Sequence, residues 1–158
     1  MIESISNLAN LSWVLGELAA AETSLREYIL HVRPGRLAYA LANLAGVLTE
    51  RGDLVTALEI ARQAIPTLNE KGEAWNFMDH LALRSALAGR LTEAARLRGY
   101  ADSVHETENA AREPNEARAR AHLLRLLTAH FDGATLERLF EEGRCLSEDA
   151  ACRLALAG

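Results

Sequence analysis

The sequence predicts an all-α fold, and three observations lead to this prediction. Alanine and leucine dominate the 158 residues with 29 and 27 copies, whereas only three residues are proline. Both common residues favour helix. Apolar residues recur at helical spacing, and segments repeat at intervals close to the length of two helices. A chain of this length buries a core without disulfides or metal. We therefore expect one helical domain.

Residues 1–105 are predicted to contain three repeated helix pairs. A shift of 33 places residues 8–11 on residues 41–44, and a shift of 37 places Leu44-Ala45 on Leu81-Ala82. Small side chains at the matched positions let two helices approach closely, while leucines fill the space between them. The residues expected in these positions are Ala45, Ala57, Ala61 and Ala64, with Leu44, Leu48, Leu54 and Leu58.

The turns within the pairs are predicted from glycine. Gly52 and Gly89 end first helices, because glycine adopts the left-handed conformation without strain, and Asp53 caps the helix that follows. The first unit has alanine at positions 19 and 20 instead, so we expect a poorly defined turn there. Pro66 lies inside a predicted helix and is expected to kink it.

Two boundaries between the pairs are also predicted. Pro34-Gly35 follows His31 and Arg33, two cationic side chains suited to a helix C-terminus, and stops that helix. Gly72 closes the second pair in the same way.

Residues 106–158 do not follow the repeat and are predicted to form a helical cap on the array, within the same domain. Pro114 begins one helix near its first turn, and Asp132-Gly133 ends it. A shorter helix is expected to end at Gly143, and Ser147 opens the last one. The buried positions expected in these helices are Ala117, Ala121, Leu124, Leu127, Phe131, Leu136, Leu139, Phe140, Ala151, Leu154 and Leu156.

Composition excludes several classes of function. A formal charge of −5 gives no attraction to nucleic acid or to an anionic membrane. Cys145 and Cys152 match neither a disulfide scaffold nor a paired metal motif, and His122 and His130 lie two turns apart on one helix. We expect no metal and no cofactor. The start of the chain lacks the pattern of a signal peptide and no long apolar run is present, so we expect a cytoplasmic protein.

Catalysis and DNA binding are weak alternatives. Asp79-His80 resembles an acid–base pair, but adjacent helical residues point about 100° apart and no nucleophile shares a motif with them. The last two helices suggest a helix-turn-helix, yet residues 132–158 carry more acids than arginines. We expect no catalytic residues and no direct contact with nucleic acid.

The helix pair around residues 41–65 resembles the tetratricopeptide repeat. Leu44-Ala45, Gly52 and Ala57 match the small residue after leucine, the turn glycine and the alanine of the second helix in that family. The resemblance implies a right-handed superhelix of α-α repeats that is closed by a C-terminal helical cap.

The segment from Gly89 to the end is similar to the C-terminal region of large bacterial transcriptional activators that carry a signal-transduction ATPase domain. The similar stretches are GRLTEAARLRGYADSV and TLERLFEEGRCLSEDAACRLAL. The resemblance implies that this chain is the sensor end of such a regulator or a fragment of it. The nucleotide-binding loop of the ATPase is absent from the sequence, so any such activity belongs to another part of the protein.

The repeat register predicts which side chains line a concave groove, because equivalent positions face the same side in each unit. The resemblance to tetratricopeptide repeats implies that the first helices face this groove. Rings there would bury side chains of a peptide while amides and imidazole bond its backbone. The alternative is that these are solvated positions and that Trp13 packs on the next unit. The candidate binding residues are Asn10, Trp13, Tyr39, Asn43, Asn76, Asp79, His80 and Leu83.

Two functions follow from this pattern. The first is recognition of a protein or peptide partner, or of a small effector, in the groove. The second is homodimerisation or a spacer role, because the Ala/Leu-rich first helix would leave an apolar side uncovered.

Overall fold

Nine α-helices and one 3-10 helix form the protein in the computed structural model, which describes residues 1–158 and contains no strand. The all-α prediction is therefore confirmed. None of the helices combines the length and apolar character needed to cross a membrane. The helices are α1 Ile2–Val14, α2 Leu18–His31, α3 Pro34–Arg51, α4 Leu54–Glu70, α5 Met78–Leu87, α6 Leu91–Thr107, α7 Pro114–His130, α8 Gly133–Arg144 and α9 Glu148–Leu156, with the 3-10 helix at Ala74–Phe77.

The first six helices pair in sequence order as α1 with α2, α3 with α4 and α5 with α6. Gly52 and Gly89 adopt φ values of 87° and 83° at the predicted turns, and Asp53 accepts a hydrogen bond from the Thr56 N–H at 3.2 Å. The expectation for the first pair is wrong. Its turn lies three residues earlier, at Gly16 with a φ of 79°, and is as well defined as the others.

The helix boundaries around the second pair also follow the sequence. α2 ends at His31, and Pro34 is the first residue of α3. α4 ends shortly before Gly72, which has a φ of 70°. α4 continues through Pro66, although position 66 has no N–H to donate. All four matched alanines are buried, as are Leu44, Leu48 and Leu58, whereas Leu54 is half-buried.

α7 packs across α5 instead of continuing the stack of helix pairs. Its buried residues are Asn115, Ala119, Leu123 and Leu127, spaced four apart. The predicted stripe is confirmed at Leu127 and in part at Phe131, which is half-buried and packs on the core, whereas Ala117 and Ala121 are exposed and Leu124 is only half-buried. A ridge of residues four apart fits the groove of a crossing helix, which the sequence pattern of α7 alone does not reveal.

α8 packs closely against α6, and two glycines allow it. A Cβ atom on Gly99 would lie 2.7 Å from the Phe140 Cα, and one on Gly143 would lie 2.9 Å from the Arg96 Cα. Gly143 therefore does not end α8, as the sequence suggested; it lies inside the helix because the backbone of α6 occupies the space of a side chain.

α9 lies against α4 and α6, and arginines from the repeats hold its C-terminal end. Arg62 donates to the Leu156 carbonyl at 2.9 Å and Arg90 to the Leu154 carbonyl at 3.2 Å. Ser147 caps the start of α9 as predicted, by accepting from the Ala150 N–H at 3.1 Å. These contacts join the C-terminal helices to the second and third pairs.

Candidate binding pocket

A cavity of about 600 Å³, which we call the inner pocket, lies between α1, α3, the 3-10 helix and the first turn of α7. Amides, aromatic rings and carboxylates line it. Its walls are Asn10, Trp13, Val14, Tyr39, Asn43, Asn76, Phe77, His80, Glu113, Asn115 and Glu116. Four separate parts of the chain therefore meet here, including a helix from outside the repeats.

Six of the eight candidate binding residues line the inner pocket, namely Asn10, Trp13, Tyr39, Asn43, Asn76 and His80. The other two need correction. Asp79 and Leu83 are 2% and 1% exposed, because α7 packs on the side of α5 that was expected to face an open groove. Neither side chain is accessible to a ligand.

A second cavity of about 730 Å³, the N-terminal cleft, adjoins the inner pocket through three shared residues, Asn10, Tyr39 and Asn43. Arg33 and Arg36, at the start of α3, line this cleft and form no ion pair. Together the two cavities form one groove along α1 and α3. Its cleft end carries two arginines and one acid, Glu3, and its inner end carries the carboxylates of Glu113 and Glu116.

Free amide groups are the main polar feature of the inner pocket. The side chains of Asn10, Asn43 and Asn115 form no hydrogen bond within the protein, while Asn76 donates to the Glu73 carbonyl at 3.0 Å. Asn10, Asn43 and Asn76 are spaced 33 residues apart. This constant interval identifies them as a row, which the shift of 37 used for the third pair does not reveal because it places His80, and not Asn76, opposite Asn43.

Aromatic rings form the wall between the amides. The ring centroids of Trp13 and His80 are 4.8 Å apart, and those of Tyr39 and Phe77 are 6.0 Å apart in an edge-to-face arrangement. A Cβ atom at Gly46 would be 2.6 Å from the Trp13 ring, so glycine makes room for the indole. Trp13 is 5% exposed, which fits the alternative that it packs on neighbouring units, yet its ring still borders the cavity.

Arg118 joins α7 to the floor of the pocket. Its guanidinium donates to the Trp13 carbonyl at 3.0 Å, to the Val14 carbonyl at 3.3 Å and to Glu50 at 2.8 Å. The Nε2 atom of His80 lies 3.3 Å from the same carboxylate. Burial alone raises the pKa of Glu50, but the hydrogen bonds from His80 and Arg118 outweigh it and hold that pKa below its usual value.

A second network lies behind α5 and fixes the start of α7. Arg112 donates to Asp79 at 2.8 Å and to Asp102 at 2.7 Å, and Arg120 donates to Asp102 at 2.8 Å. Burial opposes the charge on Asp102, yet the arginines, Arg120 above all, lower its pKa. Asp79 and His80 therefore contact different partners and do not form an acid–base pair.

Glu113 and Glu116 differ from these carboxylates because no arginine or lysine pairs with them. Glu116 is half-buried, and one of its oxygens accepts the Glu113 N–H at 2.8 Å, which closes the first turn of α7. Burial raises the pKa of Glu116, and the charge of Asp79 adds to this effect. The inner pocket thus has an acidic end without a counter-charge.

Other chemistry considered from the sequence is not assembled into a site. No group of three or more histidine, cysteine, aspartate or glutamate side chains is placed to hold a metal ion. Cys145 is exposed, Cys152 is buried, and they are not bonded to each other. Burial raises the pKa of Cys152 to about 12, so its thiol stays protonated at neutral pH.

Comparison with protein-family models, with curated proteins and with solved structures found no match to this chain. The function is therefore inferred from the residues of the pocket.

Proposed function

We propose that this protein is an interaction module that binds an extended peptide segment of a partner protein in the groove formed by the inner pocket and the N-terminal cleft. The observation that carries the proposal is the set of free amides, Asn10, Asn43 and Asn115, beside aromatic rings in one cavity. In this proposal the helix pairs form a right-handed, tetratricopeptide-like superhelix whose first helices present the groove.

The chemistry of the amides fits a peptide backbone. Each asparagine side chain offers donors and an acceptor, and an extended peptide offers both at every residue. Hydrogen bonds to the backbone hold any sequence, while rings such as Tyr39 and Phe77 bury apolar parts of its side chains. A cavity of about 600 Å³ lies within the range of ligand sites in proteins.

The wider setting proposed here is a cytoplasmic sensor region of a bacterial transcriptional regulator, without catalysis of its own. Its support is the resemblance of residues 89–157 to the C-terminal end of such activators. A protein segment or a small effector that fills the groove would then report a signal to the rest of the regulator.

Binding to a defined probe tests the proposal. The probe is a set of pools of random heptapeptides with blocked ends, and the readout is fluorescence polarisation. We expect Asn43→Ala to weaken binding about 10-fold, because truncation leaves peptide groups without partners. Gln63→Ala, an amide lost from an exposed position on α4, is the matched control. Absence of binding, or equal loss in the control, contradicts the proposal.

Homodimerisation is a second candidate, favoured by exposed leucines on α1. Leu8, Leu11 and Leu15 are 54%, 56% and 62% exposed and follow one face of the helix. The equivalent positions of the second pair include Leu44 and Leu48, which are buried against the first pair. These three leucines, which we call the α1 stripe, therefore resemble a helix-packing surface that no other helix of this chain covers.

A second copy of this chain is the occupant we propose for the α1 stripe. The exposed side chains beside it, Ser4 and Asn7, are uncharged, so a two-fold axis brings no like charges together. Light scattering over a concentration series tests this idea. We expect a dimer that Leu11→Arg converts to monomer and that Val55→Arg, at an exposed valine of α4, leaves intact. A wild-type monomer at every concentration contradicts it.

A further inference from the structure

The acidic end of the inner pocket carries two carboxylates that form no ion pair. Two carboxylates on neighbouring helices do have arginine partners: Glu50 has Arg118, and Asp79 has Arg112. Glu113 and Glu116 have none, and no lysine or arginine lines the inner pocket. A half-buried carboxylate without a counter-charge is unfavourable in the free protein, so a ligand that supplies one gains binding energy.

A buried amide points to a ligand at the same place. Asn115 lies between the two glutamates in the sequence, is only 7% exposed and borders the pocket, yet its side chain forms no hydrogen bond within the protein. Its amide atoms are still reached by solvent in the pocket, so they are free to bond a ligand there. The rings of Tyr39 and Phe77 complete the surroundings, and aromatic faces attract cations as well as the hydrocarbon stems that carry them.

We propose that the acidic end of the inner pocket binds a cationic side chain, a lysine ammonium or an arginine guanidinium, of the peptide held in the groove. This proposal rests on the proposed function and adds the chemistry of the ligand. Glu116 has one carboxylate oxygen free of the helix cap, and Glu113 is exposed beside it. The two carboxylates and the Asn115 carbonyl oxygen offer three acceptors, which matches the three donors of an ammonium group.

The N-terminal cleft is lined by two arginines and one acid, Glu3, and its positive excess sets the direction of the ligand. Arg33 and Arg36 attract an acidic side chain or a terminal carboxylate at that end. Asn10 and Asn43 border both cavities, so they contact the backbone between the two charged ends. A peptide with its charges reversed would place like charges together at both ends.

Positional scanning of the same blocked heptapeptide pools tests the cation. One position is fixed in turn as lysine, arginine, methionine, glutamine or glutamate. We expect lysine and arginine pools to bind the wild-type protein at least 10-fold more tightly than methionine and glutamine pools at one position, and glutamate pools to bind worst. In the double variant Glu113→Gln/Glu116→Gln the preference for the lysine and arginine pools over the methionine and glutamine pools should fall below about 3-fold. Glutamine at position 116 still accepts the cap hydrogen bond, so α7 keeps its start.

The control is Glu59→Gln, an exposed acid of α4 outside both cavities, which should keep the full preference. If the pools bind the wild-type protein and this binding depends on Asn43 but gains nothing from lysine or arginine, the peptide groove stands but the proposal of a cationic side chain is overturned. A cation preference that survives the double variant also overturns it, because the cation then lies elsewhere. Absence of binding by any pool overturns both proposals. Butylammonium is tested as a separate probe. If it binds and this binding depends on Glu116, while the lysine pools gain nothing, the ligand is a free amine and the proposal of a peptide side chain is overturned.

Discussion

At the scale of single residues, the structure separates carboxylates that are paired with arginines from carboxylates that have no cationic partner. Asp102 receives hydrogen bonds from Arg112 and Arg120, and its pKa is lowered although burial opposes its charge. Glu116 has no cation beside it, and burial raises its pKa. Two acids on neighbouring helices thus respond in opposite ways to removal of their charge.

Replacement of Asp102 should destabilise the protein. In Asp102→Asn the guanidinium of Arg120, which is 36% exposed, loses its ion pair, and that of Arg112, which is 18% exposed, keeps only Asp79, so we expect the free energy of unfolding to fall by about 1–3 kcal/mol. Urea denaturation followed by circular dichroism measures it. Glu108→Gln, at an exposed acid, is the control and should change stability by less than about 0.5 kcal/mol. A loss of the same small size in Asp102→Asn contradicts the role of the network.

Acid should destabilise the protein below about pH 4. The pKa values of Glu50 and Asp102 are lowered from 4.5 and 3.8, so their contribution is complete above those values and is lost as the pH falls through the lower values of the folded state. Urea unfolding between pH 7 and pH 2.5 measures this. A stability that stays level to pH 2.5 contradicts the ion pairs.

Glu116 should show the opposite dependence. Its pKa is raised, so it favours folding most when protonated, and this contribution is lost as the pH rises through the folded value. We expect Glu116→Gln to have a urea midpoint equal to or above that of the wild type at pH 7 and no such advantage at pH 3. A midpoint clearly below the wild type at pH 7 would indicate that the Glu116 charge stabilises the fold.

At the scale of helices, close crossings decide features that periodicity does not show. α6 and α8 meet backbone to backbone at Gly99 and Gly143, and there is no room for a side chain at either position. Such an approach increases dispersion contacts between the helices but forbids even a methyl group.

Alanine at these crossings should therefore destabilise the protein, although alanine usually favours helix. We expect Gly143→Ala to lower the free energy of unfolding by about 3 kcal/mol, because the helices must move apart. Gly133→Ala is the matched control: it lies in the first turn of α8 with no atom near its Cβ position, so it should be neutral or slightly stabilising. Thermal unfolding of the two variants compares them directly. Equal melting temperatures contradict the close crossing.

The sequence was sufficient for the number of helices and for most of their ends, because caps and breakers act locally; the turn at Gly16 was missed. Gly52, Asp53, Pro114 and Ser147 lie where the rules of helix termini place them. The buried face of α7 and the position of Gly143 inside α8 depend on which helix lies opposite. No local pattern carries that information, so both expectations failed.

The pocket shows the same division. The repeat register was sufficient to collect six lining residues, because equivalent positions face one side. It missed Glu113, Asn115 and Glu116, which come from α7 and have no equivalent in the repeats. It also misplaced Asp79, because the path of α7 across α5 could not be read from spacing.

At the scale of the whole molecule, α7 connects the two ends of the array. It packs on α5, while Arg118 reaches the last carbonyl groups of α1 and Glu50 of α3. Arginine at a helix C-terminus satisfies carbonyls that have no partner within the helix. Because α1 otherwise packs mainly on α2, the hydrogen bonds from Arg118 are what hold the end of α1 against α7 beside the inner pocket.

Loss of this contact should loosen α1 selectively. In Arg118→Met we expect amide hydrogen exchange in α1 to accelerate about 10-fold, while exchange in α8 and α9 stays as in the wild type. Arg153→Met, at an exposed arginine of α9, is the control and should leave α1 unchanged. Mass spectrometry of exchanged fragments measures it. Acceleration spread evenly over all helices would indicate general destabilisation instead of a local contact.

The bond from Arg118 to the Trp13 carbonyl also orders events during synthesis. The two residues are 105 positions apart, and a ribosome adding about 5–20 residues per second needs roughly 5–20 s to pass from one to the other. For part of that interval the rings and amides on α1 and α3 have left the ribosome without the helix that completes their pocket. The nascent chain therefore exposes this surface to other chains and chaperones before α7 packs beside it.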